Sequence, residues 1–327
     1  MTQKETLSRL GVYLFPWGVS RPTTSEIVTS AVHADELGFG SVHVAWHFTQ
    51  PDKNIDNTHN LDPLVVVPLI AQATSNVRVA INSVIFPTMH PYFWARYFAN
   101  LDILSGGRAI ACAALGWAPD DFRVGLSKVK ERGKRFDEAL ALYTALCHGE
   151  EIAEPGAFWD ARALALHPAP RPDLPLWVGG GAPSLERAAR WAQAYNPTRL
   201  DVAAIRDEIR PRLTEAAQAH GRSVDLVVTQ TCAIVLPGDS AEWQQENVWG
   251  PLESRPKDRD STGAVIGSPQ ECADRISAQF EAGVDEILLE FDFHGATPSG
   301  EPVLRQMDRF VEHVLPLIDD RRGEASR

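Results

Sequence analysis

Residues 77–115 read VRVAINSVIFPTMHPYFWARYFANLDILSGGRAIACAAL, and three patterns lie end to end within them. Val77–Phe86 is an apolar, β-branched run of strand length. Tyr92–Leu104 carries large apolar groups at helical spacing, and Gly106-Gly107 closes it. Ala109–Leu115 is a second apolar run. A strand, a helix and another strand in this order form a β/α/β unit, whose strands run parallel.

The same alternation extends in both directions. Toward the N-terminus, Leu10–Phe15 and Ser41–Ala45 read as strands. Between them Thr23–Leu37 reads as a helix, with Ser25 as N-cap and Gly38 as its stop. A further helix covers Pro63–Thr74, capped by Asp62 with Pro63 in the first helical position. Toward the C-terminus, helices are expected over Arg132–Cys147, Pro183–Gln193, Val202–His220, Pro269–Glu281 and Pro302–Leu317. Strands are expected at Leu176–Val178, near Ala194–Thr198, at Leu226–Leu236 and at Glu286–Phe291. About eight β/α units imply a closed (β/α)8 TIM barrel forming a single domain over 1–327; an open, doubly wound sheet is the alternative. Two stretches depart from the repeat, about 117–130 and 238–263, the second with Trp243, Trp249 and Pro251. Insertions of this kind serve as lids or binding loops, or else as solvated excursions and subunit contacts.

A chain of 327 residues suits one barrel, which needs about 250 plus insertions. Its net charge of −12 and lack of a basic cluster exclude nucleic acid as a partner. The longest apolar stretch, Pro63–Ala73, is about half the roughly 20 residues a bilayer requires, so no membrane span is expected. The first residues, MTQKETLSRL, lack the apolar core of a signal peptide, and a cytoplasmic location follows as the expectation. The four cysteines form no CxxC pair, which argues against a zinc site and a disulfide framework.

Chemistry in such a barrel sits at the C-terminal ends of the strands. The residues placed there are Phe15-Pro16-Trp17, Trp46-His47-Phe48, Asn82-Ser83-Val84, Gly116-Trp117 and Gly179-Gly180-Gly181. This rim is rich in aromatic, glycine and amide groups and poor in carboxylates. It lacks the ligand cluster of a metal site and the paired carboxylates of a glycosidase. It suits stacking on a flat, conjugated cofactor. The run PLWVGGGAPSLERAA (175–189) reads as strand, glycine turn and helix. Backbone N–H groups and a helix N-terminus could hold an anion there, and the run fits a simple tight turn equally well. His47, at a strand end, could shuttle a proton or serve structure. His43 belongs to the core, His90 to a helix start, and Asp102 with Arg108 to a structural ion pair.

The stretch LDILSGGRAIACAALGWAPDDFRVGLSKVKERGKRFDEAL (101–140) resembles a hallmark of luciferase-like flavin oxidoreductases. ADELGFGSVHVAWH (34–47), PLWVGGGAPSLERAARWA (175–192) and IGSPQECADRISAQFEAGVDEILLEF (266–291) look like that family's second strand, phosphate loop and final β/α unit. The resemblance implies a (β/α)8 barrel, often dimeric. It also implies reduced FMN for oxygen insertion or coenzyme F420, a deazaflavin, for hydride transfer, with F420 placed ahead. His47 then falls near the reacting edge of the ring. Gly179, Gly180, Gly181 and Ala182 fall at the phosphate, and Gly116 and Trp117 at the loop after strand four. A non-prolyl cis peptide is expected at Ser83-Val84, where Asn82, Ser83 and Val84 back the ring. Trp46 stands where relatives carry a carboxylate beside the histidine, and Tyr195-Asn196-Pro197 replaces an Asp-Gly pair, with Arg199 nearby as a possible phosphate partner.

These features imply hydride transfer or oxygen insertion on a small, largely apolar or aromatic substrate, within walls drawn from Trp17, Trp46, Phe48, Trp117 and Trp243. An FMN enzyme would need a separate flavin reductase as partner. A non-catalytic flavin-binding protein of the same fold is the alternative. An aldolase or isomerase ranks last, because no lysine lies at an expected strand end.

Overall fold

The computed structural model describes residues 2–15, 23–47, 49, 62–125, 127–244, 264–291 and 301–318. Strand β1 (Leu10–Leu14) pairs in parallel with β2 (Ser41–Val44), and β2 with β3 (Arg78–Ile85). The ladder continues through β4 (Ala109–Ala114), β5 (Leu176–Gly179), β6 (Ala194–Asn196) and β7 (Asp225–Ile234). Strand β9 (Glu286–Glu290) pairs with β7 on one side and with β1 on the other, which closes the barrel. All these pairings are parallel. A short β8 (Val265–Gly267) adds to the upper end of β7, outside the ring. Its three residues carry too little pattern for sequence reading to find.

At the closing seam, Leu10 lies against Ile287 and Val12 against Leu289. Arg9 fastens the joint from below. Its guanidinium donates to the carbonyls of Val284 and Asp285, both at 2.8 Å, and lies 4.1 Å from the Phe280 ring centroid.

The helices are α1 (Gln3–Ser8), α2 (Thr24–Leu37), α3 (Pro63–Ala73), α4 (Pro91–Leu104), α5 (Pro119–Val124), α6 (Arg132–His148) and α7 (Ala182–Trp191). After them come α8 (Val202–Ala204), α9 (Arg210–Ala219), α10 (Ala241–Gln244), α11 (Pro269–Glu281) and α12 (Glu301–Arg309). A π turn at Ile205–Ile209 joins α8 to α9. Local chemistry sets several of the starts. Asp62 caps α3, and the His90 ring accepts the Tyr92 N–H ahead of Pro91. The N-cap of α2 is Thr23, not Ser25. Thr23 and Glu26 form a reciprocal capping box, which satisfies two amide donors where Ser25 would leave the helix shorter.

The longer helices bury apolar faces against the sheet. On α6 that face is Phe136, Ala139, Leu140, Tyr143 and Leu146, all buried. Inside the barrel a second, smaller core joins Ala80, Ile110, Cys112, Trp177, Ala194, Val227 and Leu288. Gly11 is required there, because a Cβ would overlap Ser41 Oγ and the Leu288 side chain.

Asp102 and Arg108 do not pair. Asp102, buried in α4, takes the Nε of Arg171 at 2.8 Å. Arg108 instead donates to the carbonyls of Ala71, Thr74, Val77 and Ser105, where α3 and α4 end and β3 begins. Helix C-termini leave carbonyls unpaired, and a guanidinium satisfies several at once. The stretch 117–130 is no featureless insertion, since it contains α5 and a 3-10 turn at Val129–Glu131. In the second expected insertion, Trp243 lies under the Arg309 guanidinium at 4.3 Å, and Arg309 pairs with Asp239 at 2.6 Å. Residues 245–263, with Trp249 and Pro251, lie outside the described residues, as do Pro16, Trp17 and Phe48. No helix among the described residues is long and apolar enough to cross a membrane.

Candidate active site

The C-terminal ends of the strands surround a cavity of about 360 Å3. Trp46, His47, Asn82, Ser83, Gly116, Trp117, Gly179, Gly180 and Gly181 line it, so the structure brings most of the expected residues together. Val84, Ala182 and Arg199 are not part of the wall. Val84 is fully buried in the larger core. Ala182 opens α7, and Arg199 turns to Glu290 at 3.3 Å. Trp243 is also absent from the wall. The displacement of Val84 has a local cause. The register of β3 against β4 breaks between Ile81 and Val84, so Asn82 and Ser83 both reach the cavity and Val84 turns away. The cis peptide bond is Asn82-Ser83, one residue before the expected Ser83-Val84.

The rim is not short of a carboxylate. Asp121, from the first turn of α5, is fully buried, with Oδ2 3.2 Å from His47 Nδ1. Its other oxygen accepts the Thr49 N–H at 2.6 Å and the Thr49 hydroxyl at 2.7 Å. A carboxylate at this distance can take the Nδ1 hydrogen and thereby orient the ring. Trp117 stands edge-on to the same imidazole at 5.6 Å and is 64% exposed. Trp46 forms a buried part of the wall. Its indole N–H donates to Asp62, the α3 cap, at 3.0 Å, and its ring meets Trp94 edge-on at 5.8 Å.

Below the cavity a polar chain crosses the barrel interior. Arg78 pairs with Glu286 at 2.7 Å, and Ser41 donates to Glu286 at 2.7 Å. His43 Nε2 lies 3.0 Å from Ser41 Oγ, and its ring stacks on Trp177 at 5.2 Å. His43 Nδ1 lies 3.3 Å from the amide nitrogen of Asn82, which also donates to Asn196 Oδ1 at 2.8 Å. Ser83 Oγ donates to Asn82 Oδ1 at 2.6 Å, and the Tyr13 hydroxyl donates to the Asn82 carbonyl. Burial, and secondarily the Arg78 charge, hold the His43 pKa well below the ordinary histidine value. Burial, and then the Glu290 carboxylate, push the Tyr13 phenol upward. Asn196 and Thr229 were missed as cavity residues in the sequence. Asn196 ends a strand of only three residues, whose inward positions carry no readable alternation, and Thr229 lies within the long β7, away from the strand end where cavity residues were sought.

On the opposite wall β5 turns into α7. Gly180 has φ +118°, a conformation that favours glycine, and its carbonyl accepts the Tyr195 hydroxyl at 2.8 Å. Helix α7 starts at Gly181 without a side-chain cap. Gly180, Gly181, Pro183 and Ser184 of this turn line the cavity, where Pro183 has no N–H and the Ser184 N–H goes to the Gly181 carbonyl at 2.8 Å. Among the described residues no cluster of histidine, cysteine, aspartate and glutamate is placed to hold a metal ion.

Residues 10–249 match the family described as luciferase-like monooxygenase. The chain belongs to that family. Like other luciferase-like proteins it is an oxidoreductase built on a (β/α)8 barrel. It is 27% identical to an F420-dependent glucose-6-phosphate dehydrogenase of Beutenbergia cavernae, over 92% of this chain and 95% of that one. It is 26% identical to the enzyme of the same name from Amycolatopsis mediterranei, over 90% and 94%. Two solved luciferase-like folds superpose over 95% of this chain and 98% of their own. One is an F420-dependent secondary alcohol dehydrogenase in complex with an F420-acetone adduct, with TM-score 0.77 and 17% identity. The other is the oxygenating constituent of 3,6-diketocamphane monooxygenase from Pseudomonas putida in complex with FMN, with TM-score 0.75 and 20% identity.

Proposed function

We propose that this oxidoreductase transfers hydride between coenzyme F420 and a small, largely apolar or aromatic organic substrate. The observation that carries the reading is the pairing of two walls across one cavity, His47 held by Asp121 on one side and the uncapped start of α7 on the other. The residues fit such a cofactor. A Cβ at Gly181 would meet nothing within 4 Å, so the α7 entrance leaves open space for a phosphate. Asn82, Ser83 and Asn196 line the floor as polar groups, suited to the heteroatom edge of a planar ring. The F420-dependent names of the relatives favour the deazaflavin over FMN.

When bound, the deazaflavin supplies a carbon centre that gives or takes a hydride. The work left to the chain is positioning and proton handling. His47 releases or takes the substrate proton at Nε2, and Asp121 keeps the ring in register through Nδ1. Trp117 and Trp46 wall off water from that proton and favour a flat or apolar partner.

The test is a fluorescence titration with F420 and, separately, FMN, each oxidised and reduced. Binding of F420 with oxidation of alcohols by the oxidised form, or reduction of enones by the reduced form, supports the reading. Preference for reduced FMN turns it into an oxygen-inserting enzyme served by a separate reductase. Binding of neither ring overturns it.

We also propose a homodimer. Helices α3 and α4 leave Val65, Leu69, Ile103 and Leu104 between 43% and 60% exposed, and Gln72 ties the two helices together at Leu104. Apolar groups gathered in this way mark a contact surface. Light scattering should give twice the chain mass, and Ile103→Asp with Val65→Asp should halve it. A monomer in the unaltered protein overturns the dimer.

A further inference from the structure

The polar chain beneath the cavity has two fixed ends, and together they dictate the direction of every hydrogen bond between them. At the lower end Glu286, paired with Arg78, can only accept, so Ser41 gives it the hydroxyl hydrogen. Ser41 Oγ must then accept from His43, which requires hydrogen on Nε2 and leaves Nδ1 bare. At the upper end the Val227 carbonyl can only accept, and it takes a hydrogen from the Asn196 amide at 2.8 Å. That orientation turns Asn196 Oδ1 toward Asn82, where it needs a donor. Both ends therefore demand the NH2 of Asn82. One hydrogen goes to His43 Nδ1 and the other to Asn196 Oδ1. A flipped Asn82 would place oxygen against oxygen at Asn196 and against the bare nitrogen of His43. Its Oδ1 therefore faces Ser83 and takes the hydroxyl hydrogen of that residue.

Through this chain of constraints we infer that His43, locked as the Nε2–H tautomer, is a positioning residue that makes the Asn82–Ser83–Asn196 part of the cavity floor accept hydrogen bonds and not donate them. Ser83 Oγ, Asn82 Oδ1 and Asn196 Oδ1 retain lone pairs at the cavity, while the hydrogens of Ser83 and of both amides are engaged elsewhere. The floor selects a ligand edge that carries N–H or O–H. On the reading proposed above, that edge is the N–H of the ring's pyrimidine portion, and this selection rests on that reading. The low pKa that burial imposes on His43 agrees with a neutral ring that does not switch direction.

The experiment has an arm that needs no cofactor. In the full-length protein with 15N-labelled histidine, long-range proton–nitrogen spectra should show His43 with a pyrrole-type Nε2 and a pyridine-type Nδ1. Hydrogen on Nδ1 overturns the inference, whatever the protein binds. The second arm compares F420 with its N3-methyl derivative by fluorescence quenching. The unaltered protein should bind the N–H ring about tenfold more tightly, the scale of one hydrogen bond to a buried acceptor. Ser83→Ala should remove most of that preference. His43→Phe should remove it also, by releasing Asn82, whereas His43→Gln, whose amide oxygen can replace Nδ1, should retain it. Equal binding of the two rings by the unaltered protein overturns the selection. Failure to bind either ring overturns the function proposed above, and the tautomer then decides the inference alone.

Discussion

Two histidines four positions apart, one in strand β2 and one just past its end, live in different chemical worlds. His43 sits in mid-barrel, fully buried and stacked on Trp177, with both nitrogens tied to Ser41 and Asn82. His47 lies just past the strand end, with 22% of its side chain exposed and one nitrogen on Asp121. On the proposals above, one imidazole orients its neighbours and the other meets a ligand. Depth along a barrel strand, more than residue type, separates these roles. The interior is a packed core, whereas the C-terminal rim is open to exchange.

The strongest test of this contrast is His47→Ala. Turnover should fall by about 100- to 10,000-fold, the range for losing a positioned acid or base. The cofactor Kd should stay within about threefold, because the loss is confined to the reacting step. Turnover close to that of the unaltered enzyme would remove His47 from the chemistry and collapse the comparison. Asp121→Asn keeps the shape but replaces the accepting oxygens. It should cost about 10- to 100-fold in turnover, equivalent to one charge-assisted hydrogen bond. If Asp121→Asn turns over like the parent, Asp121 serves only to hold Thr49 and the loop.

The smallest effect belongs to His43 and is read in stability. Its folded pKa lies well below the ordinary value, so between about 6.5 and that lowered pKa only the unfolded chain takes up the proton. Stability is therefore complete above about pH 6.5 and declines as the pH falls, by up to about 1.4 kcal/mol per pH unit from this one group. Denaturant melts of His43→Gln from pH 7 to pH 5 should show a slope shallower by that amount. An unchanged slope would mean that His43 titrates in the fold much as it does in the unfolded chain.

Much of the barrel was legible because each β/α unit is local. The Pro63, Pro91 and Pro269 helix starts and the glycine stops lie within a few residues of what they control. The Thr23 cap was legible too, since Glu26 stands three residues on, but Ser25 drew the boundary inward. What escaped reading was held at long range. His47 and Asp121 are 74 positions apart, and Asp102 and Arg171 are 69 apart, so no spacing announces either pair. The cavity floor needed the register break in β3, which moved Ser83 inward and Val84 outward from where simple alternation would put them. Trp46 could be placed at the rim from sequence. That its N–H would be held by the α3 cap could not.

The barrel seam has a consequence for how the chain is made. The partners that Leu10 and Val12 meet on β9 are Ile287 and Leu289. At cellular translation rates of about 5–20 residues per second, some 15 to 55 s separate their emergence from the ribosome. During that interval β1 can pair with β2 alone, and its other edge offers unpaired N–H and C=O groups. The Arg9 clasp cannot engage until Val284 and Asp285 arrive. Until β9 arrives, the outer edge of β1 has no native strand partner. A chaperone that shields this margin would act on the first strand made, long before the last one is available to cover it.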